Sequence, residues 1–185
     1  MISFDDEIER LHYLVDNNFY FNVFEKYSEA ELSEITEYAK SIHFQFASYM
    51  SASKFYKDYA LKTNDKTKFL EDYNQHVAIV ALYLANGNVK QAKQFISAMV
   101  EQRYQPATPT FLNAGRARRG ELVSCFLLEV DDSLNSINFI DSTAKQLSKI
   151  GGGVAINLSK LRARGEAIKG IKGVAKGCLL YTSPS

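Results

Sequence analysis

The stretch that decides the fold reads TPTFLNAG at residues 108–115, ELVSCFLLEV at residues 121–130 and IGGG at residues 150–153. The middle segment is rich in aliphatic and aromatic residues and is apolar on both faces, a pattern typical of a strand buried in a parallel sheet. A second buried strand is predicted directly after the glycines, from Val154 to Leu158.

A helix is predicted between the two strands, from Leu134 to Lys149. The polar residues before it, Asp131, Asp132 and Ser133, cap its N-terminus. Its buried side is predicted to comprise Leu134, Ile137, Ile140 and Leu147. Strand, helix and strand within about 40 residues form a βαβ unit, so α/β architecture begins in this part of the chain.

The region before this stretch, residues 1–107, is predicted to be an all-helical domain without a cluster of residues that carries chemistry. Ser28 and Glu31 form a capping box at the start of one predicted helix. The helix predicted at 67–85 is apolar on all sides, which indicates a central, buried helix. The helices are predicted at 5–18 (N-capped by Ser3), from Ser28 to Ile42, at 51–61, at 67–85 and at 89–103.

The composition is that of a globular protein, with 185 residues, 46% of them hydrophobic and 23% charged. No apolar run is long enough to span a membrane, and residues 1–7 lack the features of a signal peptide. Two cysteines cannot build a disulfide framework, so a reducing, cytoplasmic location is expected.

Charge is distributed unevenly along the chain. Residues 1–110 carry 11 basic and 15 acidic side chains, a net charge of −4, whereas residues 111–185 carry 11 and 6, a net charge of +5. This modest basic excess coincides with the glycines. It favours phosphate-bearing small molecules over a nucleic-acid surface, and no nucleic-acid partner is expected.

The last eight residues, 178–185, match the translation of a transposon-end adapter used in sequencing libraries. They are interpreted as a non-native tail and excluded from the fold. Cys125 is then the single genuine cysteine.

Considered on its residues alone, Cys125 is either a small buried hydrophobe or a reactive thiol. No second cysteine, histidine or metal partner lies near it in the sequence, and the three histidines are scattered through the helical part. Neither a nucleophile dyad nor a metal site is therefore supported. The glycine triplet is either a tight turn or a point where a ligand approaches the backbone.

A basic, glycine-containing loop covers residues 160–176, with one acid, Glu166. It is either a solvated surface or an anion-binding loop for a nucleotide. The pair Asp132 and Ser133 is first of all a helix cap, although helix N-termini also bind anions. The basic residues are Lys160, Arg162, Arg164, Lys169, Lys172 and Lys176.

Several motifs together resemble the large subunit of class I ribonucleotide reductase, and residues 1–177 resemble the bacterial class Ib form. The motifs are ATPTFLNAG at 107–115, GELVSCFL at 120–127, QLSKIGGGV at 146–154 and LSKLR at 158–162, with FYKDYALKTND at 55–65 also typical. The resemblance implies a helical N-terminal domain, residues 1–107, followed by the first strands of a ten-stranded α/β barrel, residues 108–177.

The resemblance also implies roles for individual residues. Cys125 corresponds to one member of the redox-active cysteine pair. Substrate-binding positions for the ribonucleoside diphosphate are matched by Thr108, Ser124, Cys125 and Gly153. Positions of the deoxynucleotide effector site are matched by Asp132, Ser133, Arg162 and Lys169. Lys169 stands where some relatives have arginine, so the positive charge is kept but the bidentate hydrogen bonding of a guanidinium is lost.

The partners implied by the resemblance are a small (beta) subunit with a dimetal–tyrosyl radical, a second large subunit that contacts the 134–149 helix, and a glutaredoxin-like protein or thioredoxin as electron donor. Deoxynucleotides and ATP would act as effectors, and this chain itself would bind no metal. The ATP-cone domain of longer relatives is not seen. The remaining catalytic groups are expected beyond Gly177, so the chain as written is expected to be inactive.

Two other interpretations stay open from the sequence. The chain is alternatively a non-catalytic nucleotide-binding module that uses Asp132 and the basic loop, or a helical interaction domain with an α/β tail.

Overall fold

The computed structural model describes residues 4–118, 120–175 and 177, and it divides into two compact units. The first unit comprises Met1–Leu122 and the second Val123–Ser185. The predicted non-native tail at 178–185 lies outside the described residues.

The first unit is helical, as predicted, and its elements carry the caps that their sequences encode. The Ser28–Glu31 capping box is present at the start of α2, and a second capping box joins Asp72 and Gln75 at the start of α4. The described elements are α1 (Glu7–Asp16), a 3₁₀ turn (Val23–Glu25), α2 (Glu29–Ser41), α3 (Tyr49–Lys54), a π-helical turn (Phe55–Tyr59), α4 (Tyr73–Ala85), α5 (Val89–Val100) and α6 (Thr108–Asn113).

Some helix bounds differ from the prediction for local reasons. Helix α4 begins at Tyr73 rather than at residue 67, because the Asp72 side chain accepts the Gln75 N–H and ends the preceding loop. Asp6 is the N-cap of α1, without a side-chain capping bond, while the predicted cap Ser3 lies outside the described residues. The predicted 51–61 helix is instead α3 followed by the π-helical turn.

Helix α4 is the centre of the helical unit, as its apolar sequence predicted. It packs against α2 and α5, and its Val77, Val80 and Ala81 are fully buried. The short loop between α4 and α5 begins at Asn86, whose left-handed backbone, with φ of 44°, ends α4.

Residues 108–113, for which no element was predicted, form helix α6, in which Pro109 lies within the first turn. It packs on α4. Just after it, Gly115 has a φ of +81°, and a Cβ atom there would lie 2.9 Å from the Ile79 carbonyl oxygen. These contacts place residues 108–122 in the first compact unit, which ends at Leu122, while the domain boundary after residue 107 stays a prediction.

The second unit contains the predicted βαβ arrangement. Strands β1 (Cys125–Glu129) and β2 (Gly153–Asn157) pair in parallel, and helix α7 (Leu134–Lys149), at its predicted bounds, connects them and packs on both. The helical unit followed by the beginning of an α/β sheet confirms the predicted fold class.

The prediction that both strands are buried on both faces is wrong for this chain. Burial alternates along β1 and β2, and the Leu127 side chain is 85% exposed. The reason is that α7 covers one face of the two-stranded sheet. Because a sheet of two strands covers only part of α7, Leu134, which was predicted to be buried, is 69% exposed, whereas Ile140 is buried.

Candidate functional site

Ser124, Cys125 and Gly153 lie together where the two parallel strands begin. Cys125 pairs with Gly153 in the register of the sheet, and the Gly153 N–H donates to the Ser124 carbonyl oxygen over 2.6 Å. The Cys125 Sγ lies 3.8 Å from the Ser124 Oγ. Three of the four predicted substrate positions are therefore adjacent.

The Cys125 thiol is free and exposed, because its position in β1 points to the face of the sheet that α7 leaves open. Of the two interpretations of Cys125, the small buried hydrophobe is thus wrong. Accessibility is a requirement for a thiol that reacts with a substrate.

The glycine triplet forms the turn from α7 into β2. The Gly151 N–H donates to the Ser148 carbonyl over 3.0 Å, and the Gly152 N–H donates to the Leu147 carbonyl over 3.2 Å. A Cβ atom on Gly152 would lie 2.2 Å from a ring carbon of Phe126. Glycine at 152 lets the turn lie against Phe126, and this contact holds the start of β2 beside the start of β1.

Thr108, the fourth predicted substrate position, belongs to the first unit, whereas the other three belong to the second. It is the first residue of α6, and its Oγ1 lies 3.5 Å from the hydroxyl oxygen of Tyr59. The sequence placed Tyr59 on the buried side of the predicted 51–61 helix and not in the site, because a tyrosine 49 residues from Thr108 gives no local signal.

Three of the four predicted effector residues lie together at the start of α7. The Arg162 Nε donates to the Asp132 Oδ2 over 2.6 Å, and its Nη1 donates to the Ala167 carbonyl over 2.9 Å. The Ser133 hydroxyl accepts the Ser136 N–H over 3.2 Å and caps the helix. The Asp132–Arg162 pair places opposite charges beside this cap.

Lys169 lies in the turn between the bridged residues Ile168 and Ile171, with a φ of +50°. Within the described part of the basic loop, the backbone closes on itself: the Gly165 N–H donates to the Ala175 carbonyl, and the Gly173 N–H to the Gly165 carbonyl. Lys176 lies outside the described residues.

Lys160 is a charged neighbour of the predicted effector residues that also lies in the basic loop. Its Nζ is 3.1 Å from the Glu129 Oε2 and 3.2 Å from the Asp131 Oδ1. Hydrogen bonds to Glu129 and then to Asp131 raise the pKa of Lys160 above its ordinary value.

A second polar cluster, which sequence reasoning missed, is buried in the helical unit around Glu71. Its carboxylate accepts the Leu61 N–H over 2.7 Å, lies 2.8 Å from the His76 Nδ1, and binds the Arg116 guanidinium and the Tyr20 hydroxyl. Burial, which alone would raise the pKa of Glu71, is outweighed by Arg116 and His76, so this pKa is lowered.

His76, one of the three scattered histidines, is part of this buried cluster. The His76 side chain is fully buried, and its Nε2 lies 2.8 Å from the Phe111 carbonyl oxygen in α6. Within residues 4–118, 120–175 and 177, no group of three or more His, Cys, Asp or Glu side chains is arranged to hold a metal ion. No described helix is both long and apolar enough to cross a membrane.

Comparison with known proteins assigns the family. Models described as "Ribonucleotide reductase N-terminal", "Ribonucleotide reductase, all-alpha domain" and "Ribonucleotide reductase, barrel domain" match residues 1–44, 45–119 and 123–183. The gap between the second and third matches contains the boundary after Leu122. The third match extends into the tail at 178–185, whose non-native origin stays a prediction.

Relatives with the same description are found in several bacteria. The chain is 55% identical over 177 residues to the ribonucleoside-diphosphate reductase subunit alpha of Bacillus subtilis, which is 95% of this chain and 25% of that relative. It is 45% identical over 172 residues to the subunit alpha of Mycoplasma pneumoniae, 92% of this chain and 24% of that relative. The corresponding protein of Treponema pallidum is 31% identical over 159 residues.

The chain thus belongs to the ribonucleotide reductase large-subunit family, and it corresponds to the amino-terminal helical region and the start of the barrel. It spans a quarter or less of the length of these relatives.

Proposed function

We propose that this chain is the amino-terminal part of the large subunit of a class Ib ribonucleoside-diphosphate reductase, which makes deoxyribonucleotides for DNA synthesis. The observation that carries the proposal is the exposed Cys125 thiol at the start of β1, directly beside Ser124 and Gly153. A reductase of this kind needs a thiol that can reach a bound ribose.

In the proposed reaction, Cys125 is one member of a redox pair. Its thiol and a second cysteine thiol supply two electrons and two protons, the 2′-hydroxyl of the ribose leaves as water, hydrogen takes its place, and the two sulfurs form a disulfide. A thiyl radical on a further cysteine initiates the reaction. The whole protein supplies both of those cysteines.

The substrate is a ribonucleoside diphosphate that contacts Thr108, Ser124, Cys125 and Gly153. Hydroxyl and backbone N–H donors are suited to the oxygens of phosphate and ribose. The adjacency of the last three residues supports this assignment.

Asp132, Ser133, Arg162 and Lys169 form the proposed site for a deoxynucleotide or ATP effector. Ser133 lies at the N-terminus of α7, where the helix dipole favours an anion. Arg162 is held beside it by Asp132, and Lys169 adds a positive charge from the turn that contains it.

The proposed partners are a small subunit with a dimetal–tyrosyl radical, a second copy of the large subunit, and a glutaredoxin-like protein or thioredoxin in the cytoplasm. The exposed apolar side chains of α7, Leu134 and Phe139, each 69% exposed, support a contact between large subunits along this helix.

A chimera tests the proposal. Residues 1–177 of this chain replace the matching 177 residues of the Bacillus subtilis subunit alpha, and reduction of a ribonucleoside diphosphate such as CDP is measured with that organism's small subunit. We expect reductase activity in the chimera and none after Cys125→Ser, because serine cannot form the disulfide. A soluble, folded chimera without activity would contradict the proposal, and activity from the 185-residue chain alone would contradict its expected inactivity.

A further inference from the structure

We infer that Tyr59 is a further substrate-binding residue, which donates a hydrogen bond from its hydroxyl to the same phosphate group that Thr108 contacts. The inference rests on the proposed function, in which Thr108 is one of the residues that contact the ribonucleoside diphosphate. It adds a residue that no sequence motif had assigned to the site.

Tyr59 is held in place through its backbone and through its ring. It closes the π-helical turn Phe55–Tyr59, and its carbonyl oxygen accepts a hydrogen bond of 3.3 Å from the Arg116 Nη2. Its ring packs on Phe111 of α6, with the ring centroids 5.6 Å apart. Arg116 is in turn fixed by the buried carboxylate of Glu71, so the tyrosine is positioned by the core of the helical unit.

The two hydroxyl groups are spaced for a shared acceptor. The Tyr59 and Thr108 oxygens are 3.5 Å apart, which is longer than the ~2.7 Å of a strong O–H···O bond. One acceptor oxygen can therefore lie at ~2.7 Å from both. Hydroxyl hydrogens rotate freely toward an acceptor, and phosphate oxygens are strong acceptors.

The donor count leaves one hydroxyl hydrogen at this place for solvent or a ligand. When one of the two hydroxyls donates to the other, the second O–H has no acceptor among the described residues. The contact is exposed to solvent, so a ligand has access to it. A phosphate oxygen would satisfy this remaining donor.

The test uses the chimeric large subunit with its small subunit and compares Tyr59→Phe, Thr108→Val and, as a matched control, Tyr56→Phe. Tyr56 belongs to the same turn, and its ring packs on Phe69 and not on α6. Removing one hydroxyl donor to a charged phosphate is expected to raise the KM for the diphosphate by about ten- to a hundredfold. The kcat should change by less than about twofold, since the bond is equally present in the ground and transition states. Tyr56→Phe should change neither.

The double variant Tyr59→Phe/Thr108→Val sharpens the test, because donors to one phosphate group are coupled and their effects on KM should fall short of the product of the single effects. An unchanged KM in Tyr59→Phe, with a raised KM in Thr108→Val, would overturn the inference and leave the proposed function intact. An unchanged KM in both variants would overturn the role of Thr108 as well. If the chimera is inactive, the Kd of CDP for the same variants gives the same comparison.

Discussion

The carboxylate of Glu71 and the guanidinium of Arg116 are 45 residues apart in the sequence and form a buried ion pair in the helical unit. The pair joins the residue that precedes the α4 N-cap to the segment that follows α6. Because His76, five residues further on, and Tyr20 also contact the same carboxylate, one buried acid connects three separate parts of the chain.

Replacing the buried acid should destabilise the helical unit strongly. Glu71→Gln leaves the Arg116 charge buried without its counter-ion, and the expected loss is about 3–5 kcal/mol in the free energy of unfolding. Urea unfolding of the 185-residue chain, followed by circular dichroism, measures it.

The control for this prediction is Glu34→Gln, which breaks the exposed pair between Glu34 and Lys93. Its expected cost is below ~1 kcal/mol, because exposed ion pairs contribute little. Equal effects of the two substitutions would show that burial does not determine the contribution of the Glu71 pair.

The stability of the chain should decrease in acid because of Glu71. Its pKa in the folded state is lowered from the ordinary 4.5, chiefly by Arg116 and His76 against the effect of burial. The ionised group therefore stabilises the fold above its ordinary pKa, and this stabilisation is lost as the pH falls below about 4.5 toward the lowered pKa. Unfolding free energies measured between pH 7 and pH 3 should fall less steeply in Glu71→Gln than in the unsubstituted chain. An equal pH dependence of the unfolding free energy in Glu71→Gln and in the unsubstituted chain would contradict the prediction.

Gly115 should be the less replaceable of two glycines with similar backbone angles. Gly115 and Gly165 have φ values of +81° and +91°, but a Cβ atom at 115 would meet Ile79, whereas nothing lies within 4 Å of one at 165. Gly165→Ala therefore costs only the backbone strain, about 1–2 kcal/mol. Gly115→Ala adds the clash, so it should be the more destabilising in thermal melts of the two variants. The reverse order would show that α4 moves away at no cost.

The Cys125 thiol should react in the native state. In a Cys178→Ser background, which leaves one cysteine, we expect the thiol reagent DTNB to modify Cys125 within about tenfold of the rate seen in urea, since the side chain is exposed. Val123→Ala, at an exposed position in the same unit, serves as a control with an unchanged rate. A thiol that reacts only on unfolding would restore the original prediction of a buried strand.

Local sequence patterns predicted the elements whose causes are local. The capping box at Ser28 and Glu31 and the bounds of α7 follow from residues within one or two helical turns of each other. A common site for Cys125 and Gly153 was implied only by the family resemblance, and the structure shows that the two residues pair in the parallel sheet. The motifs around these residues then indicated the family, which the comparisons confirmed.

The sequence by itself thus determined the order of the elements, the family and the position of the thiol. Only the tertiary structure decided which polar groups meet across long separations, such as Glu71 with Arg116 and Tyr59 with Thr108. It also decided that residues 108–122 belong to the helical unit and that Leu127 is exposed. The physical reason is that capping and periodicity depend on near neighbours, whereas burial and ion pairing depend on which distant surfaces the packed helices and strands bring into contact.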